Sequence, residues 1–371
     1  MMIPTDSDGM ALALALAKAA RLICPPNPAV GCVLVAPDGT LIGQGNTQPV
    51  GQAHAEVMAL RDAVQRGHST AGATAYVTLE PCAHHGRTGP CCDALIAAGL
   101  ARVVASLQDP NPCVAGQGFA RLRAAGVDVE VGPGADAARE LNLGFFSRMV
   151  RGTPWVRMKA ASSLDGRTAL PNGVSQWITS APAREDGQRW RARADAVLTG
   201  IGTVLQDDPQ LNVRLAGATR QPALVVVDSR LETPLAARLW LVPRRRVIIY
   251  TAADDGARQQ ALTARGAEVV RLANARGKVD LAATLRDLAR REVNEVHVEA
   301  GHKLNGSLLR EGLVDELLLY QAPKLLGDGA GIAALGPFMQ LGDSIELEWR
   351  ELQRVGADLR LRAVVAGRDR F

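Results

Sequence analysis

Three short segments in the first third of the chain carry side chains that bind metals and move protons: His54-Ala55-Glu56, Glu80-Pro81-Cys82 and Pro90-Cys91-Cys92. An imidazole with two thiolates is a donor set that suits zinc. The metal takes four tetrahedral ligands, and in a catalytic site the fourth position is kept for water. His54, Cys82 and Cys91 are the expected ligands, with Cys92 competing for a place. Helix starts expected at these segments would favour thiolate over thiol through their backbone N–H groups. Glu56, two residues from His54, is off that residue's helical face. Within a first turn, however, both can approach one ion from different sides, leaving the carboxylate to shuttle a proton at the water. A lone His-x-Glu pair is usually nothing, and a cysteine in an α/β chain is more often a small core residue. It is the conjunction of all three segments that points to a metal site.

That division of labour matches the zinc nucleobase deaminases, whose glutamate carries protons without ligating the metal. Their general signature has two residues between the cysteines. Here eight intervene, Ala83-His84-His85-Gly86-Arg87-Thr88-Gly89-Pro90. With Pro26-Asn27-Pro28-Ala29-Val30-Gly31, Thr78-Leu79-Glu80-Pro81-Cys82 and Gln108-Asp109-Pro110-Asn111-Pro112, this insertion resembles the bifunctional riboflavin-biosynthesis deaminase-reductases. The resemblance implies that His54, Cys82 and Cys91 hold one Zn2+ and that Glu56 is the proton donor. It also places Asn27 at a pyrimidine edge and His84, His85 and Arg87 at a phosphate. Cys24, Cys32 and Cys113 read as structural.

The second half offers a different chemistry. Lys159-Ala160-Ala161-Ser162-Ser163-Leu164-Asp165-Gly166-Arg167-Thr168 leaves a strand for a turn, where catalytic groups often sit on α/β sheets. Ser175-Gln176-Trp177-Ile178-Thr179 follows. Gly200-Ile201-Gly202-Thr203 invites a Rossmann reading, but Leu205 occupies the third glycine's place and the fingerprint fails. A second turn, Glu299 to Ser307, lies between a strand and a helix, so its N–H groups could cradle a pyrophosphate.

This stretch is similar to the reductase half of the same family. That implies a dihydrofolate-reductase-like α/β domain using NADPH. By carry-over, Ala161, Trp177, Thr203, Asp207, Ser229 and the turn Gly301, His302, Lys303, Leu304, Asn305, Gly306 and Ser307 contact the cofactor. Ser175, Arg191, Leu211, Arg214 and Glu299 contact the substrate. An arginine's planar fork suits a sugar phosphate. Lys159 and Asp165 are candidates for polarising or protonating the sugar ring; equally, Lys159 could only pair with Asp165. Asp207-Asp208-Pro209 resembles a metal loop, although its family match is to cofactor binding.

The elements that must position these groups alternate between strand and helix. A helix capped by Ser7 or Asp8 runs to Arg21, and a hairpin turns at Pro37-Asp38-Gly39-Thr40. Helix His54 to Gln65, strand Thr74 to Leu79, helix Asp93 to Ala98, strand Val103 to Ser106, helix Gly118 to Ala125 and strand Val127 to Val131 follow. A helical stretch from Ala135 to Val150 then meets Arg151-Gly152-Thr153-Pro154. There a boundary divides a three-layer α/β/α, cytidine-deaminase-like domain (1–150) from a reductase domain (151–371). In the second domain strands begin at Trp155, Ala196, Ala223, Val247 and Val296, and a helix spans Ala181 to Ala194. Runs near Leu317 to Gln321, Ile345 to Glu351 and Asp358 to Val364 look like antiparallel edge strands, which could pair between subunits.

Composition bounds the rest. With 371 residues, 47% hydrophobic and 22% charged, the chain can bury two cores and is not disordered. All six cysteines fall within the first 113 residues, unlike a disulfide framework, and no run approaches the roughly 20 apolar residues of a membrane span. The start lacks a secretory pattern, so the expected location is the cytoplasm. Residues 1–150 carry 10 basic against 12 acidic groups and the remainder 32 against 26, a shift that favours an anionic small-molecule ligand in the second half. The only basic triplet, Arg244-Arg245-Arg246, is too little for a nucleic-acid surface. A tRNA deaminase therefore fits poorly, and a non-catalytic zinc protein would need a fourth ligand such as Cys92.

Overall fold

The chain divides between Arg151 and Gly152 into two units, Met1–Arg151 and Gly152–Phe371; the computed structural model describes residues 1–84, 89–112, 114–218 and 220–371. The first unit runs α1 (Asp6–Ala20), β1 (Gly31–Val35), β2 (Leu41–Asn46), α2 (Ala55–Gln65), β3 (Thr74–Val77), α3 (Cys91–Ala97), β4 (Arg102–Ala105), α4 (Gln117–Ala124), β5 (Asp128–Val131), α5 (Ala135–Leu141) and α6 (Leu143–Arg151). Among the described residues its sheet has five strands in the order β2-β1-β3-β4-β5. β1 is antiparallel to both neighbours, and β3, β4 and β5 run parallel.

The two faces of β1 separate the helices. Val33 and Val35 pack with Met10 and Ala13 of α1. Cys32 and Leu34 share the opposite face with their cross-strand partners Gly45 and Gly43, and α2 lies on that side. A Cβ on Gly43 would come 2.3 Å from Ala59 O, and one on Gly45 2.5 Å from Ala59 N. The helix meets this approach with its own small stripe, Ala55, Ala59 and Ala63, spaced by four. Its first turn, carrying His54 and Glu56, is thereby brought down onto the sheet.

Two local expectations are corrected. Thr5, not Ser7 or Asp8, caps α1, its Oγ1 accepting from Asp8 N at 3.2 Å. The stretch Ala135 to Val150 is two helices, broken at Asn142 (φ −123°). There the amide Oδ1 accepts from Ala29 N at 2.8 Å and its Nδ2 donates to Ala29 O at 3.0 Å. Asn142 thus pins the loop that carries Asn27. Asn142→Ala orphans both buried backbone groups, so a loss of about 1–3 kcal/mol is expected in the first unit's thermal unfolding. An unchanged transition would show that the loop is held by other means.

The second unit runs β6 (Trp155–Ser163), β7 (Arg167–Ala169), α7 (Ala181–Arg193), β8 (Ala196–Gly200), α8 (Ile201–Asp207), β9 (Ala223–Val227), β10 (Val247–Thr251), α9 (Gly256–Ala264), β11 (Ala267–Arg271), α10 (Leu281–Arg290), β12 (Glu295–Val298), α11 (His302–Arg310), β13 (Glu316–Ala322), β14 (Ala330–Gly331), β15 (Leu347–Val355) and β16 (Asp358–Val365). Its main sheet, in the order β11-β10-β9-β8-β12-β6-β13-β16-β15, is parallel from β11 to β13 and antiparallel beyond. Alternation along β9 sorts its residues: Val225 and Val227 join Leu285 and Leu288 of α10, whereas Leu224 and Val226 join Leu262 of α9. The run Leu317 to Gln321 is not an edge strand. It lies inside the sheet, parallel to β6, because its leucines are needed against the core; β15 and, at the other end, β11 are the edges.

Candidate active sites

In the first unit, three chain segments bring one nitrogen and two sulfurs together. His54 is the N-cap of α2 with an extended backbone (φ −76°, ψ 170°) and makes no capping bond with its side chain, which leaves the imidazole free to turn away from the helix. Its Nδ1 lies 3.3 Å from Cys91 Sγ and 3.6 Å from Cys82 Sγ. Tetrahedral zinc with ordinary Zn–N and Zn–S lengths places such atoms roughly 3.6 Å apart, so the donor set fits the ion. Cys91 opens α3, and its backbone N–H points at Cys82 Sγ at 3.4 Å. A helix N-terminus therefore does favour a thiolate, but the one it favours is Cys82. Hydrogen bonding from the Cys91 thiol, then from His54 and the Cys91 N–H, pulls the Cys82 thiol down, and the same shared proton with burial holds Cys91 up. Cys92 stands apart with its Sγ 3.8 Å from Asp93 Oδ1, and it is not in the cluster. Hence the cluster has three ligands among the described residues and no fourth.

Glu56, only 4% exposed, sits in the first turn of α2 beside this cluster. Burial, reinforced by the Cys82 charge, pushes its carboxyl up to about 7. Asn27 is half-buried in the loop before β1, and His84 is exposed. His85, Arg87 and Cys113 lie outside the described residues. Cys24 and Cys32 are buried, as expected of packing residues.

In the second unit a cavity of about 760 Å³ opens at the carboxyl ends of β6, β8 and β12, where parallel sheets bind ligands. It is lined by Lys159, Ala161, Ser175, Trp177, Arg191, Thr203, Asp207, Leu211, Arg214, Glu299, Gly301, His302 and Asn305 among the residues singled out from the sequence. Arg191 forms a forked pair with Glu299, Nε to Oε1 at 2.6 Å and Nη2 to Oε2 at 2.9 Å, and also donates to Asn212 O. Burial works against the Glu299 charge, but Arg191, Lys159 and His297 outweigh it and hold the carboxyl well below its usual range. Burial likewise pulls the Lys159 ammonium down, with Glu299 opposing.

Several residues fall elsewhere. Asp165 does not pair with Lys159. It accepts from the Ser163 hydroxyl and from the amides of Leu326 and Gly327, which bring it to about 2 and make it a loop anchor outside the cavity lining. The turn expected from Glu299 to Ser307 ends at Gly301, and α11 begins at His302. Lys303, Leu304, Gly306 and Ser307 therefore do not line the cavity: Leu304 packs on Gly200, and Gly306 abuts the Ala334 backbone. Ser229, at the end of β9, accepts from Val279 N and is also outside the lining. The cavity adds Arg184, Gln188 and Arg238. The first two were within reach of the sequence, because Arg184, Gln188 and Arg191 fall on one helical stripe of α7. Arg238, on a short 3₁₀ turn, carried no signal.

Among known proteins, residues 154–361 match the family model described as the RibD C-terminal domain, and residues 4–107 that of the cytidine and deoxycytidylate deaminase zinc-binding region. The chain is 46% identical over 369 residues to the riboflavin biosynthesis protein RibD of Escherichia coli K12, spanning 97% of this chain and 100% of that one. Its identity to the Aquifex aeolicus protein of the same name is 39%, over 95% of this chain and 97% of the relative. The solved structure of Acinetobacter baumannii RibD superposes with a TM-score of 0.88 at 41% identity, covering 97% of this chain and 99% of that one. A diaminohydroxyphosphoribosylaminopyrimidine deaminase/5-amino-6-(5-phosphoribosylamino)uracil reductase from Thermotoga maritima does so at 0.86 and 31% identity, with the same coverage.

Proposed function

Because the chain belongs to the RibD family of bifunctional riboflavin-biosynthesis enzymes, with a zinc-binding deaminase domain and a reductase domain of the NADPH-using type, we propose how its residues share the two reactions. The first is hydrolytic deamination of 2,5-diamino-6-ribosylamino-4(3H)-pyrimidinone 5′-phosphate; the second reduces the ribosyl group of the product to ribityl. Residues 1–150 carry the deamination and residues 151–371 the reduction.

His54, Cys82 and Cys91 hold the metal. Zinc bound there supplies Lewis-acid chemistry that brings the pKa of a water ligand to near 7. Glu56, buried beside the cluster, takes a proton from the nucleophilic water and delivers one to the departing ammonia. Asn27 holds the pyrimidine edge, and His84, His85 and Arg87 meet the phosphate.

In the reductase unit NADPH supplies the hydride. Arg191 and Arg214 bind the sugar phosphate, with Glu299 fixing the Arg191 fork, and Ser175 and Leu211 complete the substrate side. Ala161, Trp177, Thr203, Asp207, Gly301, His302 and Asn305 line the cofactor side. Lys159, half-buried and facing Glu299, polarises the opening sugar. The substrate is a small molecule; no described helix is long and apolar enough to cross a bilayer. We place the enzyme in the cytoplasm, with the open edge β15 available to a second copy.

The observation that carries this reading is one imidazole nitrogen within 3.6 Å of two thiol sulfurs next to a buried carboxyl. Purified protein should contain about one zinc per chain. On addition of the diaminopyrimidine phosphate it should release ammonia before NADPH absorbance falls. NADPH oxidation without prior ammonia release, or a metal-free protein that still deaminates, would overturn it.

A further inference from the structure

Glu80 takes no part in the chemistry described above, yet it is 3% exposed and its carboxylate is saturated by four backbone amides. Oε2 accepts from Asp109 N at 3.1 Å and Gly116 N at 2.9 Å, and Oε1 accepts from Gly118 N at 2.9 Å and Phe119 N at 3.3 Å. Two oxygens offer about four acceptor positions, so none is left for solvent. The donors come from Asp109, Gly116 and the first turn of α4, all converging on this one side chain. The Glu80 N–H is committed as well, to Leu107 O at 2.9 Å.

Pro81, between Glu80 and the ligand Cys82, is gripped from its other side. A Cβ on Gly118 would lie 1.9 Å from Pro81 O, so only glycine lets α4 seat against that carbonyl. The Cys82 carbonyl accepts from Cys92 N at 3.2 Å, and Arg121 of α4 donates to Ala83 O while pairing with Asp93 of α3. The turn bearing Cys82 is thus fixed to α4 on one flank and to the Cys91 helix on the other.

We infer that Glu80, clamped by the Asp109–Phe119 amides with Gly118 against Pro81, is a positioning residue that sets the place of Cys82 and through it the affinity of the metal site. The inference rests on Cys82 being a zinc ligand. Outer groups that orient ligands typically change metal affinity 10–100-fold when altered. In Glu80→Gln one acceptor becomes an NH2 facing two N–H donors, so the turn must move.

The test uses the full chain, with zinc affinity measured by competition against a chromogenic chelator and site geometry by the visible bands of the cobalt(II)-substituted protein. Glu80→Gln should bind zinc about 10–100-fold more weakly and shift or weaken the cobalt bands, while NADPH-dependent reduction of supplied deaminated substrate stays at the wild-type rate. Wild-type affinity and bands in Glu80→Gln would overturn the inference. If that variant unfolds the first unit, Gly118→Ala decides, since it keeps the carboxylate and drives a Cβ against Pro81 O and Glu80 Oε1, the two contacts of the clamp: altered cobalt bands support the clamp, and unchanged bands overturn it. A wild-type chain that binds no zinc would instead overturn the ligand assignment itself.

Discussion

Glu56→Gln should cut deamination by about 10²–10⁴-fold or more, while reduction of supplied deaminated substrate continues at the wild-type rate. Glutamine fills the same space and keeps one acceptor oxygen, but it cannot carry a proton between water and the leaving amine. The wild-type carboxyl is held near 7 by burial beside Cys82, where it can both accept and return a proton at neutral pH. Ammonia release reports the first activity and NADPH absorbance the second. Loss of both in a folded variant would refute independent sites. Full retention of deamination would remove Glu56 from the chemistry.

The second large effect is expected at Arg191. Its fork on Glu299 is buried, so Arg191→Met takes away the carboxylate's forked partner and leaves it only the Lys159 ammonium, whose charge burial already disfavours. Removing one member of such a pair costs about 3–5 kcal/mol. A marked fall in the second unit's thermal transition is therefore expected, with the first unit's transition and deamination unchanged. Losing a charged contact to a sugar phosphate, worth about 1.5–3 kcal/mol, should also raise KM in the reduction roughly 10–100-fold. The double variant Arg191→Met with Glu299→Gln should regain part of the stability, because no bare carboxylate remains, but not the low KM. If Arg191→Met melts like wild type and keeps its KM, the pair is neither a stabiliser nor a phosphate contact.

What the sequence made legible follows from how local the signals are. His54, Glu56, Cys82 and Cys91 could be read because zinc demands particular atoms, and they sit at helix starts or, for Cys82, in the turn that follows β3. The choice between Cys91 and Cys92 depended on which side of α3 faces α2, and only packing decides that. That Asp165 anchors a loop could not be read, because besides nearby Ser163 its partners Leu326 and Gly327 lie some 160 residues away. Lys303, Leu304, Gly306 and Ser307 were read as turn because a glycine-bearing stretch looks like one until Gly200 and Ala334 show that it packs as helix; Asn305, on the same helix, does line the cavity. Glu80 was visible only as a neighbour of a ligand, since the amides that hold it come from a segment some thirty residues away whose motif gave no hint of a partner.

The place of β6 has a consequence for how the protein is made. Strand β6 carries Lys159, yet its partners on both sides come much later: Arg157 is 138 residues from Glu295 and Trp155 is 161 from Glu316. The first unit closes around a local hairpin and short crossovers, so on a translating ribosome it can finish and capture its metal while β6 still waits as an unsatisfied strand. The reductase half is therefore the one exposed to aggregation during synthesis, and slow translation or chaperone shortage should deplete its activity before that of the deaminase.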